Sequence, residues 1–389
     1  MNHRLLFLSE GDPETLDSWS GVSFHLIQAL RKKGYEISGR DISERGLLRA
    51  LAIASSWASS RRRWAARYHF GSIGFAARTW RARRQLRHGS APWHAIVQIG
   101  ATFDTTGGAP TFMYCDSNAR IAEANRPYGD VALLTHPELA RMVRREARVY
   151  AGMAHIFTMS DLVRGSMIRD FGLPESRVST VWAAANLDPA VCQPRTASMA
   201  KPGTILFVGR HWEAKGGPLL LDAFIQARAT HRDLRLLIVG CTPPVGHIPG
   251  VEVVGSVNKS TPEGLQKMLS LYREADLFCM PSRFDMFGVV FVEAMLHGVA
   301  CIGSRHAAMP EIIAHGETGW VIPIDAVAGL RDLLVSGFAD REALARMGMR
   351  GRDRALRLFT WDAVAERMNN AMAAVLRRRQ DVAVANPTP

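Results

Sequence analysis

The chain has 389 residues, 47% of them hydrophobic and 22% charged, with a formal net charge of +12. That length exceeds one ordinary core and suits two domains of roughly 150–200 residues each, and the composition excludes a disordered or fibrous chain. No apolar run reaches the roughly 20 residues of a membrane-spanning helix, and the apolar stretch in MNHRLLFLSEGD is too short for a secretory signal.

In chain order, the opening reads as a strand (Arg4 to Ser9), a polar loop with Gly21, and a helix from Val22 to Lys33 stopped by Gly34. A strand near Tyr35 to Ser38 follows. Between Arg61 and Arg87 the chain carries nine arginines and no acid, interleaved with Trp64, Tyr68, Phe70, Phe75 and Trp80. Such a helical segment is a solvated face packed by its apolar side, a contact for an anionic membrane surface, or a polyanion site. No nucleic-acid motif accompanies it, so nucleic acid is not an expected partner. Arg377, Arg378 and Arg379 form a second basic cluster.

Strand-like runs recur at Ala95 to Ile99, Thr111 to Tyr114 and His155 to Met159, with helices at Pro137 to Met153 and Asp161 to Phe171. Periodicity then fades. A second alternating series has strands at Thr204 to Val208, Leu234 to Val239, Val251 to Val254, Ala275 to Met280, Val299 to Gly303 and Trp320 to Ile322. Alternation of this kind predicts α/β architecture, two tandem Rossmann-like doubly wound domains facing an interdomain cleft. The expected boundaries are residues 1–188 for the first domain, 189–203 for a linker and 204–360 for the second domain. Residues 361–380 are expected to form a helix returning to the first domain, and 381–389 a tail. Five scattered cysteines (Cys115, Cys192, Cys241, Cys279, Cys301) without metal spacing read as buried thiols of a reducing compartment. A cytoplasmic address is expected.

The chemistry concentrates in the second series. Arg210 stands at the end of its first strand, and Lys215 five residues on, before Gly216-Gly217 at the mouth of a helix. Two cations so placed suit a diphosphate, Arg210 by a bidentate grip and Lys215 as a point charge. Asp285 and Glu293 stand eight positions apart, one in the loop Pro281 to Gly288, the other in the helix Val289 to Leu296. Both can face a ligand lying over that helix N-terminus, whose hydroxyls the carboxylates accept and whose phosphates meet free backbone N–H groups. A nucleotide sugar has both. Neither a dinucleotide Gly fingerprint nor a Walker loop is present, which counts against hydride transfer and triphosphate hydrolysis.

Arg210 with Lys215, Pro281-Ser282, Asp285, Phe287-Gly288, Glu293-Ala294-Met295, Gly298, Pro310-Glu311 and Gly316-x-x-Gly319 together resemble the family-4 retaining glycosyltransferases of the GT-B fold (glycosyl transferases group 1). The resemblance is densest from Thr204 to Pro323. It implies a hexosyltransferase-type, retaining enzyme moving sugar from a nucleotide-diphosphate sugar to a saccharide or lipid-linked acceptor, in polysaccharide or glycolipid biosynthesis. It implies donor on the second domain and acceptor on the first, with no metal or other cofactor expected, and the basic aromatic segment Arg61 to Arg87 makes a peripheral place at the inner face of the cytoplasmic membrane one expectation for a cytoplasmic protein. Carried over by position, Arg210 and Lys215 neutralise the leaving diphosphate and Glu293 accepts ribose hydroxyls. Asp285 holds the donor sugar with backbone N–H groups of Phe287, Gly288 and Val289. Gly21 lets a first-domain loop approach the phosphates.

Three departures stand out. Asp285 replaces a glutamate, shortening the reach by one methylene. His306-Ala307-Ala308-Met309-Pro310 replaces a more glycine-rich segment. The strand ending Met113-Tyr114-Cys115-Asp116 lacks the histidine that many relatives carry there. Asp116 is a sugar or acceptor contact or a loop acid that caps the chain, and His136 is a second candidate. The alternatives are a nucleotide-sugar epimerase of similar fold and a non-catalytic sugar-nucleotide-binding protein.

Overall fold

The computed structural model describes residues 3–87, 92–125, 129–195 and 202–385. It comprises two compact units, Met1–Trp182 with Trp361–Pro389, and Ala183–Thr360.

In the first unit, strands β1 (Arg4–Ser9), β2 (Glu36–Asp41), β3 (Ala95–Ile99), β4 (Thr111–Cys115), β5 (His155–Thr158) and β6 (Val178–Thr180) form a parallel sheet in the order β2-β1-β3-β4-β5-β6. Strands β3, β4 and β5 are buried along their whole length, so they read as apolar runs rather than alternating ones. β6, only three residues long, gave no periodic signal in the sequence.

The arginine-rich segment is not one helix. It forms Arg61–Phe70 and Ser72–Leu86, preceded by Gly46–Ser55. Its arginines also divide by role. Arg78 is fully buried, its Nη1 3.1 Å from Glu10 and 3.4 Å from Glu44, while its other nitrogens donate to the Thr102 and His69 carbonyls. Arg61, Arg62, Arg83, Arg84 and Arg87 are exposed.

The chain returns to the first unit through the helix Trp361–Ala385, which packs on the helix Val22–Lys32. Tyr35 donates to Asn369 at 2.8 Å, and Arg367 donates to the Val181 carbonyl at 2.9 Å. This helix runs past the end at 380 read from the sequence, and residues 386–389 lie outside the described residues.

In the second unit, β7 (Thr204–Val208), β8 (Arg235–Val239), β9 (Val251–Gly255), β10 (Leu277–Met280), β11 (Ala300–Ser304) and β12 (Gly319–Ile322) form a parallel sheet in the order β12-β11-β10-β7-β8-β9. This is the doubly wound order, with its reversal between β7 and β10. The unit begins at Ala183, upstream of the 189–203 linker read from the sequence, whose residues 196–201 lie outside the described residues. Polar bonds explain the earlier boundary. Arg352 donates to the Cys192 carbonyl at 2.7 Å, and Arg195 pairs at 2.6 Å with the buried Asp276. The cysteines are free thiols, all buried except the half-buried Cys241.

Candidate functional site

Ligands of doubly wound sheets bind beyond the carboxyl ends of the strands where the order reverses. In the second unit that place is formed by the chain after β7 and the loop after β10. The two are locked together. The carbonyl of Ala214 accepts the backbone N–H groups of Arg283 (2.9 Å) and Phe284 (3.1 Å) and the Ser282 hydroxyl (3.1 Å). Ser282 is fully buried, and its own carbonyl accepts the Ser304 hydroxyl at the end of β11. Gly216 completes the lock: its φ is +74°, and a Cβ there would stand 2.0 Å from the Pro281 carbonyl oxygen. Only glycine fits.

On this frame sit the cations. Lys215 Nζ lies 2.7 Å from Asp285 Oδ2 and donates to the Phe284 carbonyl at 3.0 Å. Both side chains are mostly buried, 18% and 19% exposed. Arg210 is exposed and makes no hydrogen bond or ion pair among the described residues. The site thus offers one committed cation, held by an acid, and one uncommitted fork-shaped cation beside it in sequence.

Gly288, at φ +77°, turns the loop into the helix Val289–Leu296. Apart from Glu293 the helix is apolar, with Phe291, Val292, Ala294, Met295 and Leu296 fully buried. Burial of about 1.5–3 kcal/mol per such side chain outweighs the modest helix propensity of its valines. Its first N–H groups, Val289 among them, have no intrahelical acceptor. Phe287 is buried against Phe359, ring centroids 6.2 Å apart.

Glu293 is fully buried about one turn in, and both its oxygens are taken: Oε1 by Lys259 Nζ at 2.6 Å and Oε2 by the Tyr272 hydroxyl at 2.8 Å. The sequence reading did not include Lys259. His306, named there only as part of a departing segment and given no site role, has an Nε2 that is buried without a hydrogen-bond partner. Burial holds the His306 imidazole below its ordinary value, opposed by Asp285 and reinforced by Lys215, so it belongs to the same electrostatic neighbourhood. Its neighbour Ala307 has φ +47°, a conformation that glycine adopts more readily than alanine.

In the first unit, Gly21 (φ +86°) starts the helix Val22–Lys32, after Trp19 and Ser20, which are also left-handed. Asp116 follows the end of β4, half-buried, and raises the pKa of the buried Tyr114 and Cys115, after burial itself. His136 is exposed at the start of the helix His136–Gly152. Among the described residues no cluster of three or more His, Cys, Asp or Glu side chains is arranged to hold a metal, and no helix is long and apolar enough to cross a membrane.

The family pattern described as "Glycosyl transferases group 1" matches residues 202–340. The D-inositol 3-phosphate glycosyltransferase of Gordonia bronchialis is 25% identical over 75% of this chain and 66% of its own length. The phosphatidyl-myo-inositol mannosyltransferase of Mycobacterium leprae is 28% identical over 59% of this chain and 61% of its own. The chain therefore spans under two thirds of the length of the curated relatives it matches. Among solved structures, sucrose-phosphate synthase from Thermosynechococcus elongatus superposes with a TM-score of 0.72 at 16% identity, covering 97% of this chain and 100% of that one. Anabaena Alr3699/HepE in complex with UDP and glucose gives 0.63 at 12% identity, covering 96% and 100%. These likenesses establish the fold, GT-B.

Proposed function

From the premise that residues 202–340 belong to the group 1 glycosyl transferases, we propose that this chain transfers a sugar from a nucleotide-diphosphate sugar to a saccharide or lipid-linked acceptor, with retention at the anomeric carbon. The observation that carries the proposal is the grouping of Arg210, Lys215 and Asp285 on locked loops at the reversal point of the second sheet.

The chemistry needs little more than fixed charge. As the bond between the anomeric carbon and the diphosphate oxygen breaks, negative charge grows on the leaving group. Lys215, already held by Asp285 and the Phe284 carbonyl, meets it with little reorganisation, and the uncommitted Arg210 closes on the diphosphate beside it. The acceptor oxygen then bonds to the anomeric carbon on the face the phosphate leaves, and its proton passes to the departing phosphate. Asp285, oriented by Lys215, accepts donor-sugar hydroxyls, and the N-terminal N–H groups around Gly288 and Val289 receive the phosphates. No metal is assigned a role.

The relatives named above are a glycosyltransferase, a mannosyltransferase and a synthase, which weighs against the epimerase reading. Incubation of the full chain with a panel of UDP- and GDP-sugars and a lipid extract tests the proposal. Lipid-linked or saccharide product with released nucleoside diphosphate supports it, whereas a free epimerised sugar nucleotide refutes it. Donor binding without transfer or hydrolysis favours the non-catalytic alternative.

The acceptor end of the proposal rests on the first unit. Exposed Ile73 and Trp80 on its helices, and exposed Trp57 between two of them, share this segment with exposed Arg61, Arg62, Arg83, Arg84 and Arg87. A cavity of about 520 Å³ is lined there by Arg49, Arg61, Ile53, Trp57, Trp64 and Tyr68. Apolar and cationic side chains in one patch suit an anionic lipid surface. Sedimentation with phosphatidylglycerol vesicles, weakened at high salt, is the expected result. No binding at low salt leaves a soluble acceptor.

A further inference from the structure

The two oxygens of Glu293 are held very differently. Oε2 faces Tyr272, which is fully buried and lies flat on the His297 ring, centroids 5.1 Å apart and planes 18° apart. His297 is itself buried, and its Nδ1 donates to the Glu293 backbone carbonyl at 2.8 Å. That partner cannot leave without unpacking the core. Oε1 is held by Lys259, whose side chain is 36% exposed and whose loop starts at the carboxyl end of β9. A flexible stem reaching in from solvent is a removable partner.

The loop that carries Lys259 is itself pinned. Asn258 Oδ1 accepts the Ser260 N–H at 3.0 Å. Thr261 caps the helix Pro262–Glu274 through Gly264, and a Cβ at Gly264 would lie 1.9 Å from the Asn258 carbonyl oxygen.

We propose that Lys259 is a displaceable positioning residue of the nucleotide end of the site. In the absence of donor its ammonium keeps the buried Glu293 carboxylate oriented, and a ribose hydroxyl takes its place on Oε1 when the donor binds. This rests on the proposed function, since it assumes that Glu293 receives the ribose. It adds a competition: Lys259 and ribose exclude one another at Oε1. Affinity for a ribonucleotide is then lowered by the bond it must break, and an analogue without ribose hydroxyls escapes that cost.

Titration calorimetry of the full chain with UDP, GDP and their 2′,3′-dideoxy forms, for wild type and Lys259→Met, tests the inference. Lys259→Gln serves as a second variant, and thermal melts verify folding of both. The expected result is that the preference for ribo over dideoxy nucleotide grows about tenfold in the variants, while the dideoxy affinities stay unchanged. A preference equal to or smaller than that of wild type overturns the inference and leaves the proposed function standing. If wild type binds neither UDP nor GDP, the proposed function falls and the inference falls with it.

Discussion

Lys215 Nζ lies 2.7 Å from Asp285 Oδ2, so the cation after β7 and the acid after β10 form one ion pair in which each orients the other. The pair ties together the two loops at the reversal of the sheet. Because both groups are mostly shielded from solvent, removal of either strands the other. A double-mutant cycle with Lys215→Met and Asp285→Asn, followed by denaturant unfolding, should give a coupling of about 1 kcal/mol. Strict additivity would show that the bond contributes nothing.

We further propose that Asp285 is the position where donor choice is set. Lys215 holds its carboxylate low on the loop, beside the Phe284 carbonyl that the same ammonium contacts. Asp285→Glu lengthens the reach by one methylene and should change the ratio of kcat/KM values between sugars on one nucleotide. A difference of 1–2 kcal/mol, roughly tenfold, is the scale of one repositioned hydrogen bond. An unchanged ranking of donors would remove Asp285 from sugar recognition.

Arg78 is predicted to be a structural strut. It is fully buried between Glu10 and Glu44, and Arg78→Met leaves two carboxylates without their cation. Breaking such a cluster costs about 3–5 kcal/mol. The unfolding midpoint of the variant should fall accordingly, and Glu44→Gln in the same background should restore part of the loss. No change in midpoint would contradict the burial described here.

Glu146 makes stability depend on pH. Burial raises its carboxyl to about 7, against hydrogen bonds from the Ala119 N–H and Tyr150 and the charge of Arg145. Its folded value lies above the unfolded one, so its contribution is fully present below the ordinary carboxylate range and is lost as pH rises through about 7. His155, lowered to about 4 by burial and then Arg177, works in the opposite direction: its contribution is present above the ordinary imidazole value and lost as pH falls through about 4. The two slopes oppose each other, so the test is a comparison. Stability of Glu146→Gln minus wild type, followed by urea unfolding between pH 5 and 7, should rise with pH by up to about 3 kcal/mol. A flat difference would show that Glu146 titrates normally.

The second sheet was largely legible because each of its strands is a short apolar run closed by turn residues, and the helix Val289–Leu296 has the bounds read from the sequence. β6 was not, since three residues carry no period. The nine arginines were read as a single face, whereas Arg78 points inward. The small residues Gly74, Ala77 and Ala82 at helical spacing around it were the available signal of close packing. The pairs Lys215–Asp285 and Lys259–Glu293 join residues 70 and 34 positions apart. Only the chain path through the sheet brings them together, and no local pattern records it.

The central claim is that the two cations at the reversal point drive departure of a nucleoside diphosphate. The most direct measurement is turnover of the best nucleotide-sugar donor by wild type and Arg210→Ala, with product anomeric configuration read by NMR. Arg210 is exposed and has no partner among the described residues, so the variant should melt with wild type. The account predicts a retained configuration and a fall in kcat of about 10²–10³-fold. Wild-type turnover by the variant, or an inverted product, would contradict it.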